Sequence, residues 1–108
     1  MKEEFRNNGN GGNPSNIFCL YVTGASPNSS RAITNLKNIL ERCLGNQYEL
    51  SIIDVYQQPQ IVIKIDIVAL PLLVRKMPLP ERRLIGDMSD RDKVIKSLDL
   101  SNKLHERD

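Results

Sequence analysis

The sequence predicts an α/β domain whose first half is a parallel strand, helix, strand unit. Ile17 to Val22 (IFCLYV) is a nearly all-apolar run, as a strand covered on both faces requires. Ser26-Pro27 follows as a helix-start signal and opens the clearest amphipathic stretch in the chain. Tyr48 to Tyr56 (YELSIIDVY) then reads as a second strand, and this order favours a right-handed parallel crossover.

The 108 residues fit one domain with one core. Apolar residues make up 40% and charged residues 26%, and a net charge of +2 creates no strong field for nucleic acid or a membrane surface. With no Trp and 5% aromatics, neither a base-stacking platform nor a phosphate stripe is evident.

Taken in order, residues 1–16 carry five Asn and three Gly between Asn7 and Asn16 and have nothing apolar after Phe5 to make a secretory core. Such a segment does not offset its ordering entropy, so a flexible arm is expected there. The domain proper is expected over 17–100, with a polar tail at 101–108. After the first strand, Thr23-Gly24-Ala25 turns the chain and Ser26 caps a helix with Pro27 at its first position. Ile33, Leu36, Leu40 and Cys43 or Leu44 form its inward stripe, and Gly45-Asn46 stops it. In the second strand, Tyr48, Leu50, Ile52 and Asp54 share one face, and Ile53 and Val55 the other.

The stretch QQPQIVIKIDIVALPLLV fits two periods. Gln57, Gln60 and Lys64 can share a helical face opposite Ile61, Ile65 and Val68, while Ile63 to Ile67 alternates strictly, as a half-exposed strand does. Six β-branched residues between Ile61 and Val68 oppose a helix by roughly 2 to 4 kcal/mol in total, so tertiary contacts must decide. Arg82 to Gly86 (RRLIG) gives another short strand, and Ser89 opens a capping box before a helix with Val94, Ile95 and Leu98 inward. The longest apolar stretch, Ile61 to Val74, is broken by Lys64, Asp66 and Pro71 and falls short of the roughly 20 residues a bilayer needs, so a soluble cytoplasmic protein is expected.

No motif for catalysis stands out. The T-G-A-S-P-N-S loop has a single glycine and lacks both the P-loop and dinucleotide patterns. Ser26, Ser29 and Ser30 have only the remote tail residue His105 as a base, and that histidine has no convergent partners. Cys19 and Cys43 are too far apart for a redox couple and too few for a zinc site, so both are expected to be buried thiols. Asp87, Asp90 and Asp92 suit a helix start better than a metal cage. No cofactor is implied. Arg75, Lys76, Arg82 and Arg83 flank the Pro78 and Pro80 turn, with Arg31 at the first helix; they make either a solvated rim or a surface for an acidic protein.

The order of elements, with Leu70-Pro71-Leu72 ahead of a closing strand and helix, resembles a thioredoxin-like domain in which Pro71 takes the place of the cis-proline. The redox pair of such domains is replaced by Gly24-Ala25-Ser26-Pro27-Asn28, which excludes redox chemistry at that turn. A redox or glutathione-type protein on the same fold is the alternative.

Over about residues 18–100 the sequence more closely resembles the KaiB circadian clock family. The matching segments are Leu20-Tyr21-Val22 with Gly24, Pro27-Asn28-Ser29 with Arg31-Ala32, LKNILE, Ile53-Asp54-Val55, Pro59-Gln60, Pro71, PLPERRLIGD, Ser89-Asp90-Arg91 and Leu98-Asp99-Leu100. The resemblance implies a non-enzymatic regulator that binds a KaiC-like ATPase, with KaiA and a sensor histidine kinase as further partners where present. It also implies a homo-oligomer, dimer or tetramer, whose C-terminal half switches fold to give a thioredoxin-like monomer; a sequence divided between two periods suits such a small gap between packings. By the same resemblance, Asn28, Arg31, Arg82 and Arg83 are partner-binding residues, Asn28 through helix-start hydrogen bonding and the arginines through charge. Pro71, Ser97 and Asp99 belong to fold switching and assembly.

The sequence departs from the family's pattern in two places. Ile61 to Leu72 replaces an acidic helical segment and A-T-P-T-L, and Ser97 replaces a glycine, favouring the closing helix by roughly half a kcal/mol. The β-branched run opposes the middle helix by more, so the isolated chain is expected to favour the ground-state oligomer.

Overall fold

The computed structural model describes residues 3–5, 16–24 and 26–100. Five strands form one sheet: β1 (Glu3–Phe5), β2 (Asn16–Val22), β3 (Tyr48–Asp54), β4 (Leu72–Met77) and β5 (Arg82–Ile85), in the spatial order β1-β3-β2-β4-β5. The helices are α1 (Pro27–Leu44), α2 (Gln60–Lys64) and α3 (Arg91–Ser97).

The predicted parallel unit is present. β2 runs parallel to β3, from Asn16 opposite Tyr48 to Val22 opposite Asp54, with α1 as the crossover. β2 is central and buried on both faces: Phe18, Leu20 and Val22 join the cluster under α1 and α3, and Cys19 and Tyr21 join the smaller cluster under α2. Ser26 caps α1 by accepting from Ser29 N at 3.1 Å, Pro27 occupies its first turn, and Gly45 at φ 63° ends it. Ala32 and Ile39 are buried beside Leu36, Leu40, Cys43 and Leu44, so the apolar stripe is wider than the sequence pattern indicates.

The stretch with two periods is divided between short elements. Gln60–Lys64 forms the single-turn α2, whose Ile61 and Val62 pack half-buried against the smaller cluster; Ile67 then drops into that cluster, and β4 begins at Leu72. The alternating Ile63 to Ile67 segment is therefore not a strand here, because β4 takes the place beside β2 with apolar side chains for both faces, Leu73 on one and Leu72 and Val74 on the other.

Three expectations shift. Arg75 is not part of a surface rim: it is 5% exposed within β4, where its guanidinium donates to backbone carbonyls. The cap of α3 is Asp90, whose Oδ1 accepts from Lys93 N at 3.2 Å, one residue later than the expected Ser89, since Ser89 N is engaged by Asp87 Oδ1 at 3.0 Å. Of the expected N-terminal arm, Glu3–Phe5 pairs antiparallel along β3 and Asn16 begins β2. The rest of the arm and the tail at 101–108, His105 included, lie outside the described residues.

Candidate partner-binding site

The turn after β2 and the start of α1 lie opposite the entry to β4. Thr23, Ser26, Pro27, Asn28 and Arg31 line a recess of about 450 Å³ together with Leu70 and Pro71, whose peptide bond is cis. The geometry follows from the parallel β2–β3 pairing, which brings the end of β3 beside the turn. Asp54 Oδ1 accepts from Gly24 N at 3.0 Å and from Tyr56 N at 2.9 Å, holding Gly24 at φ 54°. A second brace comes from hydroxyls: Ser29 Oγ, buried, accepts from Thr23 N at 3.1 Å and from Ser26 Oγ at 2.9 Å. Gly86 N donates to Pro71 O at 3.0 Å and ties the end of β5 to the same place.

Where a thioredoxin-like turn carries thiols, this one presents hydroxyls already committed to capping. The two cysteines are buried thiols, as expected, and are not joined in a disulfide. Burial pushes the Cys43 thiol up, and burial, with the Cys19 side chain beside it, pushes the Tyr21 hydroxyl up. The described residues include no cluster of three or more His, Cys, Asp or Glu side chains fit to hold a metal ion.

On the outer rim, Arg31 links the start of α1 to the loop after β5. Its Nε lies 3.3 Å from Asp87 Oδ2, and its Nη2 donates to Asn28 Oδ1. Asp87 is fixed by the Ser89 backbone amide and by Asn35 Nδ2, which donates to Asp87 O at 2.9 Å. Hydrogen bonding from Ser89, then from Arg31, holds the Asp87 carboxyl below its usual range. Asn28 thus bonds to Arg31 rather than to the helix backbone, whose cap is Ser26.

Arg82 and Arg83 lie elsewhere, beside a recess of about 480 Å³ that also includes Pro80, Glu81 and Ser97. Arg83 donates to Ile65 O at 2.8 Å and Asp66 O at 3.3 Å, and its Nε lies 3.6 Å from Glu81 Oε2. It is a brace for the segment after α2 as well as a surface charge. Arg82 is exposed and stands opposite Arg75 in the β4–β5 register. Burial, and then this neighbouring charge, lower the Arg75 pKa, while Asp99 acts in the opposite sense. Asp99 follows α3 at φ 58°, and Ser97 closes that helix. The structure therefore joins Asn28 to Arg31 and Arg82 to Arg83 and Ser97, in two groups.

Arg75 and Asp54 escape sequence reasoning. Arg75 sits beside Lys76 and has the appearance of a surface charge; the apolar Leu72-Leu73-Val74 run just before it is the signal for a buried strand. Asp54, an acid at the end of a strand parallel to β2, is placed to receive the amides of the adjoining turn.

The fold and the turn together define a thioredoxin-like domain that has exchanged its redox pair for a capped, charged rim. The KaiB domain family model matches residues 19–100, and the chain belongs to this family of non-enzymatic clock regulators. It is 51% identical over 84 residues to the circadian clock oscillator protein KaiB of Synechococcus elongatus, covering 78% of this chain and 82% of that protein. The KaiB protein of Prochlorococcus marinus subsp. pastoris is 50% identical over 84 residues, 78% of each chain. Among solved structures, the N-terminal domain of Synechococcus elongatus SasA superposes with a TM-score of 0.65 at 28% identity, covering 80% of this chain and 85% of that one. Chloroplastic thioredoxin z superposes with a TM-score of 0.62 at 16% identity over 79% of each chain, a likeness of fold alone. Among the described residues, no helix is long and apolar enough to cross a membrane.

Proposed function

We propose that this protein regulates a clock or related signalling system by docking on a KaiC-like ATPase and shifting its phosphorylation and ATPase state. The carrying observation is the rim beside the Ser26 turn, where Arg31, Asn28 and Asp87 form an ordered, exposed, charged network on a rigid helix start. Arg82, Arg83 and Ser97 add a second basic surface on β5 and the end of α3. KaiA and a sensor histidine kinase are further partners where the host has them. On this reading the thioredoxin-like packing is the partner-binding form, and a homo-oligomer with a rearranged C-terminal half is its alternative, with Pro71, Ser97 and Asp99 in the segment that differs. A cytoplasmic location follows from such a partner.

A pull-down with the host's KaiC-like protein, with and without ATP, tests this. Retention on the ATP-loaded assembly is expected, weakened by over about 1 kcal/mol, or about fivefold, in Arg31→Glu. Equal background binding of both proteins would refute it. Arg83→Glu is expected to weaken binding similarly, but it also removes the donors to Ile65 O and Asp66 O, as Arg31→Glu removes the link to Asp87, so urea denaturation of each variant accompanies the pull-down.

A further inference from the structure

Among the described residues, Arg75 is a buried cation without a counterion. Its guanidinium donates to the carbonyls of Leu98 and Pro80, Nε has no partner, and no ion pair joins it to a carboxylate. Buried charges are ordinarily paired, because leaving water costs more than two neutral acceptors return. The residue directly opposite in the β4–β5 register is Arg82, a second cation with no ion pair among the described residues. Side chains so opposed share a face of the sheet, and like charges there repel. That face looks toward α3: the recess of about 480 Å³ beside Arg82 is lined by Ser97, at the end of that helix, and by Pro80, whose carbonyl Arg75 holds. The carboxylates nearby do not fill the gap. Glu81 Oε2 lies 3.6 Å from Arg83 Nε, and Asp99, whose charge favours the charged form of Arg75, forms no ion pair with it.

We propose that this recess is a phosphate-binding site, in which Arg82 and Ser97 hold a phosphate group, free or esterified on a partner, above the buried charge of Arg75. The charge selects the ligand. Two guanidinium groups face the same recess with no carboxylate to balance them, so a dianion fits, and a phosphate monoester carries about −1.5 to −2 at neutral pH. A single carboxylate balances only one of them. The donors fit as well: a guanidinium presents its N–H groups in a fork that matches a phosphate, and Ser97 adds a hydroxyl. The two arginines divide the work. Arg82 is exposed and free to close on the ligand, whereas Arg75 is fixed by its two carbonyls and acts through a field that burial leaves weakly screened.

Titration of the full chain with inorganic phosphate, at an ionic strength held constant with chloride, tests the site through proton–nitrogen correlation spectra that resolve the arginine Nε–H groups. Saturable shifts are expected at the Nε–H of Arg82 and Arg75 and at the Ser97 amide. Arg82→Gln is expected to weaken phosphate binding by about tenfold. Lys93→Gln removes the same charge from the first turn of α3 and is expected to leave the affinity unchanged. Acetyl-phosphoserine amide in place of the free ion separates the two sources: tighter binding assigns the site to a phosphorylated partner, weaker binding to the free ion, and either supports it. Absence of saturable shifts beyond those in chloride overturns the proposal. So does acetate binding as tightly as phosphate, or an equal loss in Arg82→Gln and Lys93→Gln, which would reduce the effect to net charge. Failure here leaves docking to the ATPase standing, since the Arg31→Glu pull-down reads that separately.

Discussion

Arg75 Nη1 donates to Leu98 O at 2.7 Å, fastening the end of α3 to the middle of the sheet through a guanidinium that is almost fully buried. Nη2 reaches Pro80 O at 3.0 Å, while Nε has no hydrogen-bond partner. One side chain thus pins both connections that define the C-terminal half. Arg75→Met is expected to leave two carbonyls without a charged donor and to lose about 2 kcal/mol of stability, with the relief of the desolvated Nε offsetting part of the cost. Urea denaturation measures the loss; an unchanged midpoint would mean the two bonds contribute nothing net.

Gly24 is expected to resist any side chain. Its φ is +54°, and an added Cβ would lie 3.4 Å from the Tyr56 ring and 3.9 Å from Asp54 Oδ2. The space is tolerable, so the backbone term dominates, and Gly24→Ala is expected to cost about 1–2 kcal/mol. The same urea titration checks it.

The Asp87 carboxylate is held below the usual value near 3.8 by Ser89 and then Arg31, so its contribution to stability is fully present above that value and is lost as the pH falls through the lower, folded-state pKa. The wild-type protein and Asp87→Asn are therefore expected to differ in denaturation midpoint by a constant amount above about pH 5 and to converge only as the pH falls below 3.8, through the lower folded-state pKa. A difference that stays constant into acid would mean Asp87 is not so engaged.

Cys43 and Cys19 are both buried, and burial raises the Cys43 thiol above its ordinary value of 9.0, so little thiolate forms and access is closed. Neither thiol is expected to react with iodoacetamide in the native protein over a time that alkylates both in urea, and moderate alkaline pH is not expected to change this. Mass spectrometry gives the count; rapid native labelling would reopen the question of a thiol function.

The first half of the fold was legible because local and tertiary signals agree there. IFCLYV is apolar enough to be central, and Ser26, Pro27 and Gly45 bound α1 within a residue. The second half was legible only at its end, where the Arg82–Ile85 strand and the closing helix with Val94, Ile95 and Leu98 inward are as the sequence predicts. In β4 the buried Arg75 disguises a core strand as a charged rim, and in Ile61 to Val68 the period that matches the local pattern loses to the strand that fills both faces. At the candidate site, the proximity of Asn28 to Arg31 follows from helical spacing, whereas the link from Arg31 to Asp87 spans the whole fold and no local pattern announces it. Arg83 has a similar history: its charge is plain in the sequence, its two carbonyl acceptors after α2 only in three dimensions.

The most direct measurement is the phosphorylation state of the host's KaiC-like ATPase, followed over time in ATP with and without this chain at saturating concentration. Docking through the Arg31 rim predicts that the chain shifts the time course and that Arg31→Glu largely abolishes the shift. Superimposable traces with and without the wild-type chain would contradict it.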